Sequence, residues 1–394
     1  MELTRLRALA ERPGLPALLS ALGPGEARFV GGAVRDTLLE LDAKDLDLAT
    51  PLSPYEVMRR LGAAGIKVVP TGIAHGTVTA VSDGQVVEIT TLRSDVSTDG
   101  RRATVAFTDD WREDAARRDF TINALFADPA TGELFDYFNG LDDLKERRVR
   151  FIGDPLTRIA EDHLRILRFF RFHARFGRGE PDAAGLAACT ARANDLMALS
   201  RERIADELLK LLAHDDPSAT MRIMVENRIL EAVLPEIVSG AVPRLTKLVE
   251  TERQAGIAPE GVRRLASLLP TDPLLAEKIA ARLKLSNRDR KRLASAVTAE
   301  HGINPRALAY EIGPEGASDR LLLAGRAEEV AALREWTPPK LPIGGGALIS
   351  RGIAPGPLVA RTLKQIERNW VEQGFPDGPA FERIVDEALV GTRG

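Results

Sequence analysis

Between Ala27 and Tyr137 the chain alternates short β-branched runs with Gly, Pro and Asp punctuation. The runs Ala27–Val30, Asp45–Ala49, Thr77–Val81 and Val86–Thr91 read as strands. Leu125–Ala127 and Glu133–Tyr137 flank Asp128-Pro129-Ala130-Thr131-Gly132, a hairpin signal. Pro54–Ala64 has helical periodicity instead. After Asp154 the period is helical almost throughout, rich in Leu, Ala, Arg and Glu and broken at intervals by Pro and Gly. The pattern predicts an α+β protein with a small α/β head and a long, all-helical remainder. It contains no internal repeat and no low-complexity tract.

Composition narrows the class. A chain of 394 residues can build two or more domains. Its single cysteine, Cys189, excludes a disulfide within the chain and a thiolate metal cage. Met1–Ser20 mixes Glu and Arg through its leucines and lacks the apolar core of a signal peptide. No run of about 18 apolar residues occurs, so no membrane span is expected and the compartment reads as cytoplasmic. A net charge of −3 argues weakly against a nucleic-acid partner, because local clustering decides phosphate binding. Arginine is clustered: Arg93, Arg101, Arg102, Arg112, Arg117 and Arg118 in one segment, and Arg158, Arg165, Arg168, Arg171, Arg175 and Arg178 in another.

Two segments carry candidate chemistry. Phe29-Val30-Gly31-Gly32-Ala33-Val34-Arg35-Asp36 runs from strand to helix through two glycines. Such a turn lets backbone N–H groups approach an anion, with Arg35 in the first helical turn able to reach a triphosphate; a plain strand-to-helix turn is the other reading. Lys44-Asp45-Leu46-Asp47-Leu48 then places Asp45 and Asp47 on one face of a strand, with the leucines packing inward. Paired carboxylates repel unless a divalent cation lies between them, and two-metal phosphoryl transfer uses such a pair. Glu88, in Val86-Val87-Glu88-Ile89-Thr90, is the candidate third carboxylate. The competing reading is a pair of solvent-facing acids on an edge strand.

Asp154-Pro155 reads as the start of a helix carrying Glu161, Asp162, Arg165, Arg168, Arg171 and Arg175. At this spacing the four arginines share one side while Ile166, Leu167, Phe169 and Phe170 take the other, so the cationic side must meet water, acids or phosphates. Asp162 and Arg165, three residues apart, present an acceptor beside a fork of donors, which suits the hydrogen-bonding edges of both cytosine and adenine. An intrahelical surface salt bridge is the alternative.

Taken together, these motifs resemble the class II tRNA nucleotidyltransferases, the family of CCA-adding enzymes and bacterial poly(A) polymerases. The resemblance rests on Gly31-Gly32-x-Val34-Arg35-Asp36, Asp45-x-Asp47, Arg117-Arg118-Asp119-Phe120-Thr121-Ile122-Asn123-Ala124 and Glu161-Asp162-x-x-Arg165-x-x-Arg168, in family order, over roughly residues 27–210. It implies a polymerase-β-like head at 1–145, a helical neck at 146–215, a body at 216–310 and a tRNA-binding tail at 311–394. It implies Mg²⁺ on Asp45 and Asp47 with Glu88 nearby. Gly31, Gly32, Arg35 and Arg118 match nucleotide-holding positions, and Asp162, Arg165, Arg168 and Arg171 match the helix that reads the base and grips the triphosphate. Ser200-Arg201-Glu202-Arg203 with Glu207 is similar to a motif that braces that helix, and Ser94–Asp110 looks like the flexible loop tied to the switch from C to A addition.

The expected partners are tRNA, CTP and ATP. Pro70–Val78 and the tail from Leu341 to Pro357 resemble CCA-adding enzymes more than poly(A) polymerases, although Ala347 stands where Asp is common. Poly(A) synthesis, CC-only addition and A-only addition remain the alternatives. His214-Asp215 suggests an appended phosphohydrolase module as one reading, but with no second His/Asp cluster downstream it reads as a helix-end loop.

Overall fold

The computed structural model describes residues 2–43, 45–99, 102–298, 302 and 304–390. They fall into two compact units, the first running to Leu211 with Ala219–Pro235, the second comprising Leu212–Ser218 and the chain from Glu236 onward.

The first unit opens with helices α1 (Glu2–Ala10) and α2 (Leu15–Leu22). Strand β1 (Arg28–Val30) leads through Gly31 into α3 (Gly32–Leu38), and β2 (Leu46–Thr50) leads to α4 (Pro54–Ala63). Ser53 caps α4 through the Glu56 N–H, with proline at the first position, which fixes where the helix begins. Next come β3 (Lys67–Gly72), β4 (Thr77–Ser82), β5 (Gln85–Thr91), β6 (Arg93–Asp99), β7 (Arg102–Phe107), α5 (Trp111–Ala116), β8 (Leu125–Ala127) and β9 (Leu134–Asp136).

The sheet order is β3-β4-β5-β2-β1-β8-β9. The β2–β5 pairing is parallel and the others antiparallel. Register puts Leu46, Leu48, Val78, Ala80, Val87 and Ile89 on one face, all at most 1 % exposed, and α2, α3 and α4 pack against these strands. The opposite face carries Asp47 and Glu88. A one-residue slip would exchange the two sets, so burial of the leucines fixes where the carboxylates point.

Two features differ from the sequence reading. Lys67–Gly72 is a strand, but it lies at the sheet edge and is largely exposed, with Pro70 in it, so it lacks the alternation that marks a strand. The expected loop at 94–110 is, in its backbone, an antiparallel β6–β7 hairpin pairing Arg93 with Phe107. Gly100 and Arg101 of its quoted tip lie outside the described residues, as do the side chains of 95–105.

After α6 (Gly140–Lys145) come α7 (Pro155–Glu161), α8 (Arg165–Phe176), α9 (Ala183–Ala191), α10 (Arg201–Leu212) and α11 (Ser218–Glu226). The single helix expected from Asp154 through Arg175 is therefore two, broken at Asp162, which is extended at φ −151°, ψ 106°. Its carboxylate accepts the Leu164 N–H at 3.1 Å, a local bond that competes with helix continuation.

The second unit is helical from α12 (Val242–Ala255) through α13 (Gly261–Leu268), α14 (Pro273–Arg282) and α15 (Asn287–Ala296) to a C-terminal helix at Gly378–Val390. It holds one apolar cluster around Leu248, Leu308 and Leu321 and another around Leu348, Ile366, Trp370 and Ile384. Buried Arg263 and Arg264 share Glu252 at 2.6 and 2.8 Å. No helix among the described residues is long and apolar enough to cross a membrane.

Candidate active site

Gly31 adopts φ 62°, ψ −119°, a conformation that a side chain strongly disfavours, and this sharp turn carries β1 into α3. Around it a concavity of about 390 Å³ is lined by Gly31, Gly32, Arg35, Asp47, Arg117, Arg118, Asp119, Asn123, Asp162, Arg165, Arg168 and Phe172. Of the nucleotide-site residues read from the sequence, the fold brings together Gly31, Gly32, Arg35, Arg118, Asp162, Arg165 and Arg168. Arg171 lies outside this lining and donates through Nε to Glu207 Oε2 of α10 at 2.5 Å.

The cations here are held by carboxylates from several elements. Arg35 is 5 % exposed and donates to Asp36 Oδ1 at 2.8 Å and to Asn123 Oδ1 at 2.5 Å. Burial lowers its pKa, partly offset by Asp36. Asn123 donates in turn to Asp119 Oδ1 at 2.9 Å, and Arg168 donates to Asp119 Oδ2 through Nε at 2.8 Å and Nη2 at 2.5 Å. Burial disfavours the Asp119 charge, but Arg168, Asn123 and the Phe120 N–H outweigh it and hold its carboxyl below the usual range. At the far end of α8, Arg175 reaches Asp36 Oδ2 at 3.1 Å. The arginine side of α8 thus meets acids supplied by α3, α10 and the segment after α5.

Asp114, 1 % exposed, organises the neighbouring pair. It accepts from Arg117 at 2.7 Å and Arg118 at 3.0 Å, and from the Arg93 N–H at the base of the hairpin at 3.3 Å. Burial opposes its ionisation, yet Arg118 and Arg117 keep its pKa below normal.

Asp162 and Arg165 are assembled differently from the helix-face reading. Asp162 is gripped by Arg203 of α10, whose Nη2 lies 2.9 Å from Oδ2 and 3.2 Å from Oδ1. Arg165 turns back to Glu161, to the Arg158 carbonyl at 2.8 Å and to the Arg117 carbonyl at 3.3 Å. Both still line one concavity, so an acceptor and a donor fork converge without sharing a continuous helix face.

On the exposed side of β2, Asp47 pairs in register with Glu88, and Asp45 precedes the strand by one residue. These three carboxylates line a second concavity of about 620 Å³ with Gln85 and Val86. Burial first, then Glu88 across the strand pair, push the Asp47 carboxyl up to about 6, while Arg118 and Arg35 pull the other way. Among the described residues no three of His, Cys, Asp and Glu are grouped to hold a metal. Two carboxylates without His or Cys suit a hard cation such as Mg²⁺, which binds one or two carboxylates and completes its shell with water and phosphate oxygens.

Asp119, Asn123 and Asp114 are residues to which the sequence reading assigned no role. The Arg117–Ala124 motif contains the first two, but only the fold shows that Asp119 meets Arg168, 49 residues away.

Comparison with known proteins places the arrangement. Residues 27–150 match the poly A polymerase head domain, and 181–239 match the probable RNA- and SrmB-binding site of polymerase A. The chain is 35 % identical over 369 residues to CCA tRNA nucleotidyltransferase 1, mitochondrial, of Mus musculus, covering 89 % of this chain and 84 % of that protein. The chain belongs to the CCA tRNA nucleotidyltransferase family. To the CCA-adding enzyme of Lacticaseibacillus paracasei it is 34 % identical, covering 89 % of each. Its fold is that of the Bacillus stearothermophilus CCA-adding enzyme in complex with CTP, with a TM-score of 0.74 at 24 % identity over 95 % of this chain and 97 % of that one. The Thermotoga maritima CCA-adding enzyme complexed with tRNA gives 0.67 at 21 % identity over 93 % and 91 %.

Proposed function

We propose that this nucleotidyltransferase adds CCA to the 3′ end of tRNA from CTP and ATP, without a template, releasing pyrophosphate. The observation that carries the reading is the convergence, on one concavity, of Asp47, the arginines Arg35, Arg118 and Arg168, and the Asp162–Arg165 pair. Membership of a family whose relatives are CCA tRNA nucleotidyltransferases and CCA-adding enzymes supports the same conclusion.

In this account the RNA 3′-oxygen bonds to the α-phosphorus, the bond from that phosphorus to the pyrophosphate oxygen breaks, and one proton passes to solvent. Asp45 and Asp47 would hold Mg²⁺, which when bound activates the attacking hydroxyl and neutralises charge on the triphosphate. Glu88 raises the negative field at Asp47 and so favours cation capture. Arg118 and Arg168 meet the triphosphate. Arg35, fixed by Asp36 and Asn123, lines its path. Asp162 and Arg165 offer the base an acceptor and donors. Arg171 acts at one remove, through Glu207, by fixing α8 against α10.

The test is single-turnover incorporation of labelled CTP into a tRNA lacking its 3′ CCA. Wild-type protein incorporates label, whereas Asp45→Ala binds the tRNA and does not; full activity in that variant refutes the metal assignment.

A further inference from the structure

The first unit has another concavity, of about 420 Å³, that shares no residue with the two around Asp47. It is lined from α1, α2, the Gly23–Gly25 link into β1 and the β8–β9 turn. Gly132, at φ 73°, lets that turn close onto α1: an added Cβ would collide with the Leu3 carbonyl and come within 3.0 Å of Arg7 Cγ. The stem of Arg7 is thus packed against the turn, and Arg7 lines the concavity. Leu19, half-buried, Ala27, 4 % exposed, and Pro129 give the lining an apolar part.

The charges of this lining are unmatched. Arg5 of α1 pairs with Glu40 at 2.7 Å, and Arg12, just beyond the helix, pairs with Asp42 at 3.5 Å. Arg7 and Glu11 both line the concavity, yet among the described residues neither has an ion pair or a side-chain hydrogen bond. Four residues apart, they are spaced to reach one another and do not. Asp128, on the β8–β9 turn, uses Oδ1 to accept from the Ala130 N–H at 2.9 Å and the Thr131 N–H at 2.8 Å. Its Oδ2 has no such partner among the described residues.

We infer that this concavity binds a free α-amino acid with an aromatic or branched apolar side chain. Its carboxylate meets the Arg7 fork, its ammonium meets Glu11 and Asp128, and its side chain packs on Leu19, Ala27 and Pro129. One guanidinium, two carboxylates and an apolar surface complement a molecule that carries both charges on an apolar body. An uncharged ligand would desolvate all three ionised groups without pairing any of them. A ligand of one sign would leave the opposite set unmatched. The volume lies toward the small end of the range for small-molecule sites. This site is separate from the nucleotidyl transfer proposed above, and neither reading depends on the other.

The test is saturation-transfer NMR of L-phenylalanine titrated into the full-length protein at pH 7. Saturable binding is expected, with a Kd of about 1 mM or tighter. L-leucine should compete, and glycine, which has no apolar body, should not. N-acetyl-L-phenylalanine lacks the ammonium and L-phenylalaninamide lacks the carboxylate, so each should compete about tenfold more weakly than L-phenylalanine. Arg7→Gln and Glu11→Gln should each weaken binding about tenfold, while Arg5→Gln, on the same helix but outside the lining, should stay within about twofold of wild type. All three variants should extend a CCA-less tRNA at the wild-type rate, since none of these residues lines the concavities around Asp47.

Absence of saturable binding up to about 20 mM overturns the assignment. Equal competition by glycine or by the two blocked derivatives, displacement by CTP with Mg²⁺, or equal loss of binding in Arg5→Gln and Arg7→Gln does so too.

Discussion

Asp47 and Glu88 sit opposite one another on the parallel strands β2 and β5, a like-charged pair on the uncovered face of the sheet. Burial and this neighbour hold the Asp47 carboxyl at about 6. The unfolded chain ionises at the ordinary value, so in metal-free protein the raised pKa costs stability that grows above pH 4 and is complete above pH 6. Asp47→Asn should therefore unfold at a higher temperature than wild type in EDTA at pH 7.5, by at most about 3 kcal/mol, and the advantage should vanish near pH 4. It should also abolish incorporation. Equal metal-free stability at pH 7.5 would show that the pair is not strained.

Asp119 presents the opposite sign. Its depressed pKa means the ion pair with Arg168 stabilises the fold above the ordinary carboxylate pKa and is lost as pH falls through the folded value. Asp119→Ala should cost about 3 kcal/mol at pH 7, the scale for breaking a largely buried pair, and weaken nucleotide binding by releasing Arg168. The stability gap to wild type, measured by denaturant titration, should narrow on acidification below pH 4. A gap independent of pH would contradict the charge-pair account.

Arg203 holds the Asp162 carboxylate with two contacts and does not line the concavity, so under the proposed function it orients the acceptor offered to the base. Arg203→Ala should reduce discrimination of CTP and ATP over UTP by about tenfold, with a smaller change in pyrophosphate-releasing turnover on the correct nucleotides. Misincorporation assays with single nucleotides read this directly, and unaltered selectivity would remove Arg203 from the account.

The relation of Arg171 to Glu207 separates positioning from binding. Arg171→Ala and Glu207→Ala should each lower the melting temperature, and the double variant should fall short of their sum because they share one contact. Nucleotide KM should stay within about threefold of wild type in Arg171→Ala. A much larger rise in KM would place Arg171 on the triphosphate.

Much of this was legible in the chain. Strand alternation located β2 and β5, and the Asp-x-Asp spacing put both acids on the face away from buried Leu46 and Leu48. What the pattern missed has physical causes. Strand β3 is an exposed edge, so burial never imposed alternation on its sequence. The break at Asp162 arises from a side-chain bond to Leu164 and from Arg203, 41 residues away, neither of which helical periodicity encodes. The α8 arginines were expected to meet water, acids or phosphates; Arg168, Arg171 and Arg175 meet acids contributed by distant segments, while Arg165 pairs with nearby Glu161. Asn123, which accepts from Arg35 and donates to Asp119, stands in a motif the sequence shows, but its role there lies in neighbours that only the fold supplies.

The central claim is most directly tested by incubating the purified protein with Mg²⁺ and a tRNA lacking its 3′ CCA, supplying CTP and ATP separately and together, and sizing the products. The account predicts two added nucleotides with CTP alone and three with both, followed by a stop. A long ladder with ATP alone, or no extension with any mixture, would contradict it.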